Sequence, residues 1–234
     1  MLDPVTPSRT LETLGRRAGS PSPGTDNLPD LLLIERSRAG DEHAIEALIR
    51  RYGRRLFRVA RSVVADDERA EAIVQEAFMS AFGDLTRYEP TGNFAAWLTR
   101  LAYQHARMQR AALRFAVAGT APAAPETSGE DLSERRALEQ AIGALPEVFR
   151  TVFVLRVVEG ISGIETAASL GVHETTVRTR LYRAHRRMEA ETVHRVRAAP
   201  LLLDLSPARL ERLVSRVLAQ LPHGSLITIT NPAT

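Results

Sequence analysis

Apolar residues recur in this chain at steps of three and four, and that period commits most of it to helices. Ala44, Leu48, Tyr52, Leu56, Val59 and Val63 fall on one stripe of one helix. Beyond Asp66 and Asp67, both able to cap, a second helix carries Ala70, Ile73, Val74, Ala77, Phe78, Ala81 and Phe82. The stretch from Gly83 to Asn93, with Pro90 and Gly92, interrupts it. A third helix starts near Phe94 and carries Trp97, Leu98, Leu101, Met108 and Leu113. Only Leu226 to Thr230 looks strand-like, so the expected fold class is all-α.

Composition divides the chain into segments. Residues 1–28 are rich in Pro, Ser, Gly and Thr without apolar periodicity and are expected to form a disordered tail. Residues 29–115 form a first helical unit. Residues 116–132 (AVAGTAPAAPETSGEDL) hold little to bury and read as a flexible linker. A second unit spans 133–196, with Pro146 suited to the first turn of a helix ending near Gly160. In the extension 197–234, Ser206 and Pro207 start a helix with Leu210, Leu213, Val214, Val217, Leu218 and Leu221 on one face; Pro222 and Gly224 stop it.

The sharpest local pattern is TAASLGVHETTVRTRLYRA. A helix-turn-helix needs a small residue where two helices cross, a glycine to turn, and an apolar residue locking the second helix onto the first. Ala167, Gly171 and Val177 supply these at offsets of four and six. The second helix then offers Thr175, Thr176, Arg178, Thr179, Tyr182 and Arg183 to a ligand. From His173 to Met188 there are five arginines against the single acid Glu174, a net of four positive charges on one helix. Arginine can reach guanine edges in a major groove, and threonine or arginine can reach phosphates. The helix from Phe94 to Phe115 is basic too: Arg100, Arg107, Arg110 and Arg114 have no acid among them, and Trp97, Tyr103 and His105 are interleaved. Arginines beside aromatics suit unpaired nucleic acid, although Trp97 also fits a core position.

Other chemistry is excluded by residue type. All 31 basic residues are arginine, so a Schiff-base lysine and a lysine-bearing phosphate loop are impossible. No cysteine is present, and the six histidines form no H-E-x-x-H, so no metal or other cofactor is expected. No apolar run approaches the roughly 20 residues of a membrane span, so no membrane insertion is expected. No G-x-S-x-G, G-x-G-x-x-G or paired-carboxylate pattern stands out either, so a non-enzymatic, cytoplasmic protein is expected.

The order of these pieces resembles the extracytoplasmic-function sigma factors of the sigma-70 family over roughly residues 30–190. Their region 2 is matched by GDEHAIEALIRRYGRRLFRVA, AEAIVQEAFMSAF and FAAWLTRLAYQHARMQR; their region 4 by ALPEVFRTVFVLRVVEGIS and ETAASLGVHETTVRTRLYRAHRRM. The resemblance implies an alternative sigma factor that directs core RNA polymerase to chosen promoters. It implies binding to the polymerase clamp through Glu71, Val74, Gln75, Glu76 and Phe78. It assigns a melted −10 element to Asn93, Trp97, Arg100, Gln104 and Arg107. A duplex −35 element falls to Arg150, Thr175, Thr176, Arg178, Thr179, Tyr182 and Arg183. An anti-sigma factor is the further partner implied. Arg69 and Ala72 stand where the family usually carries acids, leaving Glu71; Gln104 and Met108 replace a common asparagine and aspartate, and Ile164 with Glu165 an acidic pair. A stand-alone helix-turn-helix regulator would explain the second unit but leave the first without a role. The extension has three readings: a cover for the second unit's core, a docking helix for a partner, or an appendage. A further expectation is that its Leu210–Val214–Val217–Leu221 face clasps surfaces of the free protein.

Overall fold

The structure, a computed structural model, describes residues 28–85, 88, 92–116, 130–198 and 202–221. The expected tail up to residue 27, linker residues 117–129 and the strand-like 226–230 lie outside the described residues. Within them all regular structure is helical. The first unit comprises α1 (Asp30–Arg38), α2 (Glu42–Val64), α3 (Asp67–Gly83) and α4 (Phe94–Ala116). The second comprises α5 (Glu130–Gly143), α6 (Glu147–Phe153), α7 (Gly163–Leu170), α8 (Glu174–Arg187) and α9 (Ala190–Ala198), and α10 (Pro207–Gln220) follows.

Helix starts follow their capping residues. Asp41 accepts the His43 amide at 3.0 Å, Asp66 the Arg69 amide at 2.8 Å and Ser162 the Glu165 amide at 3.1 Å. Pro146 stands one residue before α6 rather than inside it, its carbonyl accepting the Phe149 and Arg150 amides. The helix does continue towards Gly160, but as a π turn over Val154–Val158, with the Glu159 amide reaching back five residues to the Val154 carbonyl at 2.9 Å. The long helix expected from His173 breaks at Met188, whose backbone is extended, separating α8 from α9.

In the first unit α2 is the axis, with α1, α3 and α4 packed around it. Its expected stripe is the core: Ala44, Leu48, Leu56, Val59 and Val63 are all but fully buried, with Tyr52 close behind. The two units do not stand apart. Val152, Leu155, Ala167, Leu170 and Val177 of the second share one apolar core with the first, chiefly through α7 on α4 and α6 on α2. Polar contacts reinforce the seam. Ser62 and Thr151 hydroxyls meet at 3.1 Å, both buried, and Arg55 pairs with Glu165 at 2.7 Å.

Of the three readings of the extension, a cover for the second unit's core is the one that helix α10 does not follow. Leu202 and Leu203 do enter that unit's separate core, beside Leu138, Ile142 and Val196. Helix α10, however, lays Leu210, Leu213, Val214 and Val217 against α2 and α3 of the first unit. The reason is a notch at Gly53, where an added Cβ would come within 3.0 Å of Leu210 Cδ1.

Candidate nucleic-acid interface

The helix-turn-helix has the geometry its spacing promises. Helix α7 ends at Gly171 in the left-handed region (φ 64°, ψ 41°), its amide donating to the Ala167 carbonyl. Ala167 and Val177 are buried where the two helices cross. A Cβ on Gly171 would lie 3.3 Å from the Arg100 guanidinium as well as adopting a strained φ. Gly171→Ala is therefore expected to lower stability by about 1–2 kcal/mol, read as a drop in the thermal midpoint; an unchanged midpoint would show that the turn tolerates a side chain.

Helix α8 turns Val177 and Ala184 inward. Thr175, Arg178, Thr179, Tyr182 and Arg183 are exposed, and Thr176 is half-buried. Arg178 is 78% exposed, with only a 3.9 Å surface contact to Glu174, so its guanidinium remains available to a ligand. Tyr182 is 63% exposed, so its ring and hydroxyl are open to a ligand. Thr179 donates its hydroxyl to the Thr175 carbonyl at 2.9 Å, leaving oxygen lone pairs to accept. Along this face Val148 and Phe149 of α6 join Thr175, Thr176, Thr179 and Arg183 around a cavity of about 440 Å³. Arg187 lies over the Phe149 ring at 5.1 Å. Sequence reasoning missed Val148 and Phe149, which lie more than 20 residues before α8; their sole signal was two adjacent apolar residues on one short helix.

Arg150 is not part of that face. It is half-buried and its Nε donates to the Leu145 carbonyl at 3.2 Å. Burial and the neighbouring Arg110 both hold its guanidinium below the ordinary arginine value.

Helix α4 presents its residues unevenly. Asn93 accepts the Ala96 amide at 3.1 Å and caps the helix. Trp97 is half-buried against Tyr88 and Phe94, with centroids at 4.8 and 5.6 Å. Gln104 and Arg107 are exposed, Arg107 lying 5.8 Å from the buried Tyr103 ring. Burial pushes the Tyr103 hydroxyl up, opposed by Arg107 and by Arg180 of α8, so the two basic helices are neighbours here. Arg100 lies over Gly171, and Arg110 is held by the Val63 carbonyl at 2.5 Å and Glu147 at 3.1 Å. The second unit thus packs on α4 beside Arg100 and Arg110, while Asn93, Arg100, Gln104 and Arg107 stay exposed.

On α3, Val74 and Phe78 have no exposed area and form the core beneath α2 and α4. Neither can touch a partner while the unit is folded, because the apolar period that builds the helix turns them inward. Gln75 is half-buried and Glu76 exposed, 3.5 Å from His105. Glu71 is 7% exposed and faces Arg209, Arg212 and Arg216 of α10 at 3.5, 3.8 and 3.1 Å. Among the described residues no cluster of His, Asp or Glu is arranged to hold a metal, and no helix is long and apolar enough to cross a membrane.

Comparison with known proteins agrees with this geometry. Sigma-70 region 2 matches residues 48–114 and sigma-70 region 4 matches residues 135–188. The ECF RNA polymerase sigma-E factor of Escherichia coli is 30% identical over 178 residues, 68% of this chain and 92% of that protein. The RNA polymerase sigma-H factor of Pseudomonas aeruginosa is 29% identical over 177 residues, 66% of this chain and 89% of the other. Among solved structures, CnrH in complex with the cytosolic domain of CnrY superposes with a TM-score of 0.54 at 27% identity, over 68% of this chain and 93% of that one. Two units in this order, a helix-turn-helix in the second and relatives matched over nine-tenths of their length leave one assignment: the chain belongs to the extracytoplasmic-function sigma factors of the sigma-70 family.

Proposed function

We propose that residues 133–196 read a duplex −35 element through α8, while residues 29–115 hold a melted −10 element on α4 and dock on the polymerase clamp along α3. The observation that carries this is the outer face of α8, where Arg178, Thr179, Tyr182 and Arg183 stand free of the core beside a left-handed glycine turn. A helix with that charge enters a major groove with its N-terminal residues at the base edges. Thr175, Thr176 and Arg178 occupy that end, and Arg183, Arg186 and Arg187 lie farther along, where phosphates pass. On α4, Asn93, Arg100, Gln104 and Arg107 are exposed, and Trp97 is half-buried against Tyr88 and Phe94 beside them. The clamp contact falls to Gln75, Glu76 and Glu71 at the rim of α3, with Val74 and Phe78 supporting them from within. The chain catalyses no reaction and needs no cofactor; it works by binding, in the cytoplasm with core polymerase. Holding by an anti-sigma factor is supported by the complex of its relative CnrH with the cytosolic domain of CnrY.

Purified chain added to core polymerase should produce initiation at a promoter that neither uses alone; no promoter-specific transcript would overturn the reading. Within that assay, Arg178→Ala is expected to weaken specific duplex binding by about 1–3 kcal/mol, as loss of a bidentate base contact would. Arg187→Ala should weaken specific and random duplexes alike and flatten the salt slope by roughly one unit. Equal loss on both duplexes for both variants would remove the −35 assignment from α8.

A further inference from the structure

We propose that residues 202–221 form an intrachain staple that closes the two units together and occupies the surface the polymerase needs, with Glu71 as the acid for which both compete. This rests on the clamp reading of α3 given above.

The segment is anchored at both ends in different units. Leu202 and Leu203 sit in the core of the second, and α10 sits on α2 and α3 of the first. Between them Asp204 meets Arg58 of α2 at 3.2 Å. Helix α10 has its own start signal, with the Ser206 hydroxyl accepting the Arg209 amide and Pro207 in the first turn. Yet a 14-residue helix is marginal alone and gains most of its stability from packing. It is therefore suited to dock and release as a unit.

Charge selects where it docks. An acid as buried as Glu71 needs compensation, and α10 brings three arginines to it from successive turns. On the opposite edge Arg50 of α2 holds Glu211 at 2.8 Å. The α2–α3 surface is thus fitted to an amphipathic helix with arginines on one edge. Any polymerase element using Glu71 must bring its own positive charge and displace α10. The same release removes one tie between the units, leaving the shared core and the Arg55–Glu165 pair to hold the second unit on α2 and α4. One event would uncover the clamp surface and loosen the seam between the units.

The absence of cysteine permits a direct test. Full-length Arg50→Cys/Glu211→Cys protein is joined by a reducible bismaleimide, and its binding to core polymerase is measured before and after reduction. The staple predicts at least ~10-fold weaker binding when linked, restored on reduction, since a ligand that cannot reach its competent state binds less tightly by the population lost. A second variant, Arg212→Glu/Arg216→Glu, changes only the half-exposed arginines at the Glu71 edge. It should bind polymerase more tightly than wild type while keeping its helical circular dichroism. Equal affinity of linked and reduced protein, or no gain from charge reversal in a folded variant, would overturn the staple. Failure of every form to bind polymerase, wild type included, would instead overturn the clamp reading.

Discussion

Phe78→Ala is expected to destabilise the first unit by about 3–5 kcal/mol, the range for truncating a fully buried phenylalanine. The ring has no exposed area, stacks on Phe82 at 5.8 Å between centroids, and lies under α2 and α4. Collapse around the cavity would have to move three helices, so little of the loss should be recovered. Urea unfolding followed by circular dichroism measures it. Glu76→Ala, on the exposed side of the same helix, should leave the midpoint close to wild type and alter polymerase affinity. If Phe78→Ala melted like wild type and lost polymerase affinity, the side chain would be a contact residue and α3 would be wrongly oriented.

Arg58→Met is the second large effect, again about 3–5 kcal/mol, because it strands charges rather than removing a weak pair. Arg58 reaches Glu159 beyond the π turn at 2.5 Å, Asp204 at 3.2 Å and the Leu202 carbonyl at 3.1 Å, and all three side chains are almost closed to solvent. Arg54, 3.8 Å from Asp204, offers only partial replacement. Neutralising the stranded acids as well, with Glu159→Gln and Asp204→Asn, should recover much of the loss, since a buried neutral amide costs far less than an unpaired carboxylate. A single-variant loss under about 1 kcal/mol would mean that water reaches the pair and that the seam between the units is looser than its burial indicates.

Helical content and most helix starts were legible because they are local. The Asp66 and Ser206 caps, the start at Phe94 and the turn at Gly171 depend on residues within one turn of one another. The outward face of α8 was legible for the same reason: Val177 and Ala184 mark the inner stripe, so Arg178, Thr179 and Tyr182 must point away. Less accessible to local reasoning was the difference between a residue that belongs to a family motif and one that can touch a partner. Val74 and Phe78 share their motif with Gln75 and Glu76 but lie at the positions that the helical period turns inward. That Arg150 is half-buried, with its Nε held by the Leu145 carbonyl and Arg110 beside it, depends on contacts that local pattern does not show.

Sequence alone determined the helices, their faces and the concentration of arginine on α8, because a period of 3.6 residues and a capping side chain act within a single segment. Tertiary structure alone decided which segments meet. That α10 crosses to the first unit follows from a notch at Gly53 and an acid at Glu71, more than 130 residues earlier in the chain. Neither the notch nor the acid carries a local sign of its partner. Apolar faces are interchangeable at the level of pattern, and only shape and charge brought together in space choose among them.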